Sequence, residues 1–237
     1  LMIPWYVAIP MVIVATALLG VVIDQIAYKP LRSAPRMSIM ISAIGVSYFL
    51  ENMATYLFSA LPKSYPSIEI LNRKITLGSV STSLCTFITP IVTVLLVLVL
   101  IVLVNKTKIG MAMRAVSKDF SAAQLMGIRI NNVISATFVI GCALAAVGSV
   151  LYFTPRATVY PLVGSLPGLK CFVAAVFGGI GSIPGALLGG FLIGICETFI
   201  KFSPLSEFSD VFTFVVLILV LFIRPTGLFG EKLEEKV

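Results

Sequence analysis

The residue types that could do chemistry in this chain stand inside or beside apolar runs. Glu51, followed by Asn52, interrupts an apolar window at 37–61. A carboxylate at membrane depth is costly, so it marks either a solute or proton pathway or a buried interhelical hydrogen bond made by a protonated acid. A proton relay would need titratable partners in other spans. Glu197 stands near the end of its apolar run and Asp24 stands close to Lys29, so both read as interfacial and a relay is disfavoured. The second feature is Gly-Gly-Ile-Gly-Ser-Ile-Pro-Gly at 178–185, which breaks the apolar window 168–200. Irregular backbone at membrane depth is tolerated only when buried in protein or lining a cavity. Gly178, Gly179, Gly181, Pro184 and Gly185 are therefore pathway candidates alongside Glu51 and Asn52. Pro184 suits a first helical turn, whose positive dipole end could meet a carboxylate.

Other chemistries are excluded by what is missing. The chain has no histidine, so no imidazole can relay protons, ligate metal or act as a base. No Gly-x-x-x-x-Gly-Lys-Ser/Thr occurs, and no nucleophile stands with a base. Any ATP must be bound by another chain. The four cysteines (Cys85, Cys142, Cys171 and Cys196) are scattered singly through apolar stretches and read as small packing residues, with no disulfide and no metal expected.

The elements that position these residues follow from composition. Of 237 residues, 59% are hydrophobic and 11% charged, against about a quarter charged in soluble domains. The missing polar surface must face lipid. Apolar windows fall at 3–26, 37–61, 84–104, 132–153, 168–200 and 209–223, and helices satisfy their backbone there. The net charge of +7 reads as basic cytoplasmic loops beside anionic lipid, with no nucleic-acid partner.

Charge also decides how the window 168–200 is used. If it crosses once, nine Lys and Arg lie on one side and eight on the other, which is no bias. If its first half dips in and its second half returns, the division becomes eleven inside and six outside, as the positive-inside rule expects. The sequence therefore predicts an all-α integral membrane bundle of about five transmembrane spans plus one re-entrant half-helix. That half-helix covers 168–178, turns near mid-membrane and is followed by a helix over 184–200. The whole chain, 1–237, reads as a single membrane domain with a cytoplasmic loop at 105–131 and a cytoplasmic tail at 224–237.

Loop 105–131 is the longest polar stretch. Between Gly110 and Gly127, Met113, Val116, Phe120 and Ala123 share one helical face, while Arg114, Lys118 and Asp119 lie on others. This is either an amphipathic helix resting at the interface or a docking helix for a cytoplasmic partner. In the second case Ala122 and Ala123 allow close approach, and Gly127 ends the helix. Farther on, Gly185-x-x-x-Gly189 and Gly190-x-x-x-Gly194 form ridges that let helices approach closely in lipid.

These residues carry a resemblance. RAVSKDFSAAQLMGI (114–128) is similar to the cytoplasmic loop of ABC-importer permeases, with Ala122, Ala123 and Gly127 matching and Ser121 standing where Glu is common. AYKPLRSAPRMSIMISAIGVSYFLEN (27–52), LPGLKCFVAAVFGGIGSIPGALLGG (166–190) and RPTGLFG (224–230) resemble branched-chain amino-acid permeases of the LivH type. The resemblance covers essentially the whole chain in order. It implies a pore-forming permease in the plasma (inner) membrane, importing leucine, isoleucine and valine. The implied partners are a second related permease, two cytoplasmic ATPase subunits that bind the ATP, and an extracytoplasmic solute-binding protein. The chain itself would bind no cofactor and catalyse nothing. Arg114, Asp119, Ala122, Ala123 and Gly127 are placed in the ATPase-coupling loop. Two departures stand out. Ser121 removes a charge from that loop. Family members also begin with further membrane segments, so the chain, starting at Leu1, reads as truncated or split. A same-class permease for urea, amides or another small polar solute fits the same residues, and so does a stand-alone ion-coupled secondary transporter.

Overall fold

Apolar backbone in lipid must satisfy its own N–H and C=O groups, and this chain does so with helices. The structure, a computed structural model, describes residues 4–32, 35–65, 74–77, 80–156, 158–179, 181–202, 206–224, 227 and 229. Most of the expected tail at 224–237 lies outside these residues, including all of 230–237, as does Ile180 in the glycine-rich turn. The chain divides into two units, Leu1–Leu162 and Val163–Val237.

The first unit begins with α1 (Trp5–Ile23), which widens into a π turn at Asp24–Tyr28 and tightens into a 3-10 turn at Lys29–Leu31. Pro30 offers a reason, because it has no N–H to donate and its ring would strike the carbonyl four residues back. Then come α2 (Arg36–Phe58), α3 (Leu84–Lys106), α4 (Lys108–Lys118), α5 (Phe120–Leu125) and α6 (Ile130–Phe153). Short strands close the loops. β1 (Lys63–Ser64) pairs antiparallel with β4 (Thr158–Val159), and β2 (Lys74–Leu77) with β3 (Val80–Ser83).

α1 and α6 run antiparallel and are the most intimate pair in this unit. A Cβ on Gly20 would lie 2.4 Å from Cys142 Sγ, so any larger residue there would have to push the Cys142 side chain aside. Farther along the same seam, the rings of Tyr28 and Phe138 sit 5.1 Å apart. By contrast α2 buries none of its spanning window.

The second unit is a helical hairpin, α7 (Ser165–Gly178) and α8 (Ile183–Phe202), packed with α9 (Ser209–Ile223). Its core is Val173, Phe177 and Ile193, covered by Phe214, Leu217 and Val220 of α9. Gly178 meets Gly185 and Ala174 meets Gly189, so α7 and α8 are antiparallel. The ends of the hairpin therefore point the same way, as both a re-entrant segment and a pair of full crossings require. It is longer than expected: the 20 residues of α8 reach about 30 Å, while the 14 of α7 reach about 21 Å.

Six segments among the described residues are long and apolar enough to cross a membrane: Trp5–Leu31, Met37–Phe58, Leu84–Lys106, Ile130–Phe153, Pro161–Gly178 and Ile183–Phe202. The protein is an all-α, multi-pass membrane protein.

Candidate functional site

The polar loop between α3 and α6 folds as a compact bracket. Thr107 starts it, donating its hydroxyl to Leu103 O at 2.6 Å and accepting from Gly110 N at 3.1 Å as the N-cap of α4. The chain reverses so sharply there that a Cβ on Gly110 would lie 2.3 Å from Val104 O. Arg114 then reaches back, its Nη2 donating to Asn105 O at 3.3 Å near the end of α3. The Arg114 cation thus holds α4 against a helix C-terminus, where carbonyls are unpaired and the dipole is negative.

The expected single helix across 111–126 is two helices. Asp119 is extended (φ −151°, ψ 109°), and its Oδ1 accepts from Ala122 N at 3.0 Å, capping α5. An Asp side chain competes with the helical backbone in this way and so breaks one helix to start another. Gly127 ends α5 as expected, at φ 78°. Ile128 N donates to Ala123 O and Gly127 N to Gln124 O, the paired bonds of a Schellman turn.

This geometry sorts the predicted residues. Met113 and Val116 are half-buried and Ala123 is buried, as the shared face requires, but Phe120 of the same face is exposed. Ala122 faces outward and Ala123 inward, so of the two small residues only Ala122 is open to a partner. The outer end of α5 carries an apolar tip, with Leu125 90% and Met126 83% exposed. The sequence reading passed over both.

The described residues of the glycine-rich turn pack just as closely. Gly179 and Gly181 take positive φ values of 107° and 98°. A Cβ on Gly178 would lie 2.1 Å from Gly185 O, one on Gly185 2.4 Å from Gly178 O, and one on Gly189 2.5 Å from Ala174 O. Gly190 and Gly194 have no such neighbour, so the first ridge makes the crossing and the second does not. Ser182 accepts from Gly185 N at 3.1 Å, capping the start of α8, while Pro184 is exposed. The turn is held from beyond α9 as well: Phe229 N donates to Gly178 O at 3.0 Å.

Glu51 is half-buried and Asn52 exposed on α2, where Asn52 Nδ2 donates to Tyr48 O of its own helix at 2.7 Å. These two fall in the first unit and the glycine turn in the second.

Two ion clusters were not foreseen. Asp24, read from the sequence as interfacial beside Lys29, is fully buried (0% exposed) and pairs with Arg32 instead. Glu197, also read as interfacial, is half-buried. Its partner Lys170 lies 2.8 Å away across the α7–α8 hairpin and also reaches Asp210 of α9 at 2.7 Å, while Lys201 pairs with Glu197 along α8. The signal was available in part, since Lys170 is a lone cation inside an apolar window. Its partners depend on three helices meeting.

A family profile described as "Branched-chain amino acid transport system / permease component" matches residues 1–221. The high-affinity branched-chain amino acid transport system permease protein BraD of Pseudomonas aeruginosa is 40% identical over 228 residues, covering 95% of this chain and 74% of its own. LivH of Escherichia coli strain K12 is 40% identical over 230 residues with the same coverage. A probable branched-chain amino acid transport permease of Methanocaldococcus jannaschii is 30% identical over 240 residues, again covering 95% and 74%. No solved structure matches at the same stringency.

Proposed function

The chain belongs to the family of branched-chain amino-acid transport-system permease components, and from that premise we propose that it is one pore-forming subunit of an ATP-driven importer for leucine, isoleucine and valine. It pairs with a second, related permease and takes its solute from an extracytoplasmic binding protein. Two cytoplasmic ATPase subunits bind and hydrolyse the ATP, so this chain carries out transport without catalysis and without a cofactor of its own. It acts as a single permease domain, with the α4–α5 loop and the C-terminus cytoplasmic.

The observation that carries the coupling role is the α5 tip. Two large apolar side chains, Leu125 and Met126, stand out from a loop that is otherwise tied down at Thr107, Arg114, Asp119 and Gly127. A polar loop that is rigid and ends in exposed apolar anchors fits a groove on a partner. Because the bracket is rigid, movement of the partner reaches α3 and α6 as displacement and is not absorbed by the loop. Ala122, beside the tip, leaves room for close approach. Arg114, Asp119, Ala123 and Gly127 hold the bracket in shape. The Gly178–Gly185 turn and the Glu51–Asn52 pair are the pathway candidates.

Co-purification with candidate ATPase subunits tests this. Leu125→Asp and Ala122→Asp place a charge on the docking tip and are expected to lower recovery of the complex at least tenfold while the permease itself accumulates normally. Wild-type recovery and wild-type uptake in both variants would remove the docking role. In proteoliposomes, uptake of labelled leucine is expected to require the ATPases, the binding protein and ATP, and excess isoleucine is expected to compete. Uptake driven by an ion gradient alone, or competition by urea and not by isoleucine, would overturn the importer reading or its solute.

A further inference from the structure

Asp24 stands in the π turn that ends α1, with its side chain wholly inside the protein. Both its carboxylate oxygens accept from Arg32 Nη2, at 2.7 and 2.8 Å. Ser135, in the second turn of α6, donates its hydroxyl to Asp24 Oδ2. Arg32 completes the ring by donating through Nη1 to Asn131 Oδ1, in the first turn of α6. Four residues from three parts of the chain are thus joined through one buried carboxylate. The two on α6 lie directly after the Schellman turn at Gly127 that ends the coupling bracket.

A buried ion pair is weak evidence of stability, because desolvation opposes the attraction, so a pair kept at such a position calls for another role. Three observations point to transmission. The pair lies where the bracket joins α6. It spans to α1 where that helix widens into a π turn, and π turns recur at functional positions. Arg32 Nε is buried without a partner among the described residues, so this arrangement leaves one donor unsatisfied that a second arrangement could satisfy. A joint with two packings of similar energy is the kind of element through which a displacement at one end becomes a state change at the other.

We propose that Asp24, Arg32, Asn131 and Ser135 form a positioning joint that passes movement of the α4–α5 bracket from α6 to α1, coupling ATP hydrolysis to opening of the pathway. This rests on the docking role of the α5 tip. The close α1–α6 contact at Gly20 and Cys142 lies on the same seam, so α1 follows α6 while the joint holds.

The test uses the full complex in proteoliposomes and reads three quantities: recovery of the complex, ATP hydrolysis, and leucine taken up per ATP. Asp24→Asn is expected to leave recovery and hydrolysis within about twofold of wild type and to lower uptake per ATP at least about tenfold (roughly a factor of ten per 1.4 kcal/mol of coupling). Ser135→Ala, which removes one donor, is expected to lower it about two- to fivefold. Should Asp24→Asn fail to accumulate with Arg32 left unpaired, the doubly neutral Asp24→Asn/Arg32→Gln variant keeps hydrogen-bonding groups without the stranded charge. Its recovery is expected to be normal and its uptake per ATP still low. Full uptake per ATP in the double variant would make the pair purely structural and overturn the proposal, as would uptake per ATP within twofold of wild type in Asp24→Asn. Leu125→Asp keeps the two readings apart. Loss of complex there with full coupling in the Asp24 variants sinks the joint alone, and wild-type recovery and uptake in both Leu125→Asp and Ala122→Asp sink the docking role beneath it.

Discussion

At the scale of single residues, the α4–α5 bracket is held by a few backbone-directed contacts whose removal has calculable effects. Gly127 sits at φ 78° in the Schellman turn. Gly127→Ala puts a Cβ in the left-handed region, at a cost of about 1–2 kcal/mol. Asp119→Ala removes the α5 cap, typically a loss of about 1 kcal/mol. Each change should raise the proteolysis rate of the loop at native conditions about fivefold or more, since cleavage follows the population of the opened loop. Unchanged cleavage would mean that the bracket is held from elsewhere. Gly127 was legible in the sequence, because Gly is the usual C′ residue, whereas Asp119 read as lying on one face of a continuous helix and its cap came only with the structure. The orientation of the two alanines was not legible either. Helical spacing placed Ala123 on the face of Met113 and Val116, but it could not show that Ala122 alone would remain outward.

At the scale of elements, the α7–α8 hairpin turns on glycines that look alike in sequence and differ in space. Gly178→Ala and Gly189→Ala would drive a Cβ to 2.1 Å and 2.5 Å of backbone oxygens that cannot move aside. Gly194→Ala meets nothing within 4 Å, and Gly190→Ala has only the Ala174 methyl at 3.7 Å. The first pair should therefore sharply lower the yield of monodisperse detergent-purified protein, and the second pair should leave it within twofold. Equal yields from all four would argue against this crossing. The two small-xxx-small repeats stood out in the sequence, but a repeat shows only that some face can approach closely. Which ridge meets α7 is set by the turn at 179–182. There, positive φ values at Gly179 and Gly181 aim the returning helix. The half-helix expected at 168–178 corresponds to α7. α8 runs past the expected end at 200 to Phe202, since periodicity marks element ends poorly.

At the scale of the whole molecule, charge counting predicts the sidedness. With the hairpin returning to its starting side, single cysteines in a cysteine-free background at Ser206 and Glu231 should react with an impermeant maleimide from opposite faces of the membrane. Labelling of both from one face would refute the arrangement. The sequence by itself was enough for the membrane class, for the helices over the spanning windows and for the family, because each rests on information local to a segment. Hydropathy selects helix in lipid, caps and glycines set ends, and short motifs recur in order. It could not decide which charges would meet. Asp24 had Lys29 five residues away and took Arg32, eight away, with Ser135 and Asn131 of a distant helix. Lys170 and Glu197 likewise waited on three helices coming together. Desolvation makes partner choice at such sites depend on which side chains are carried inside together, and only the packing of helices determines that.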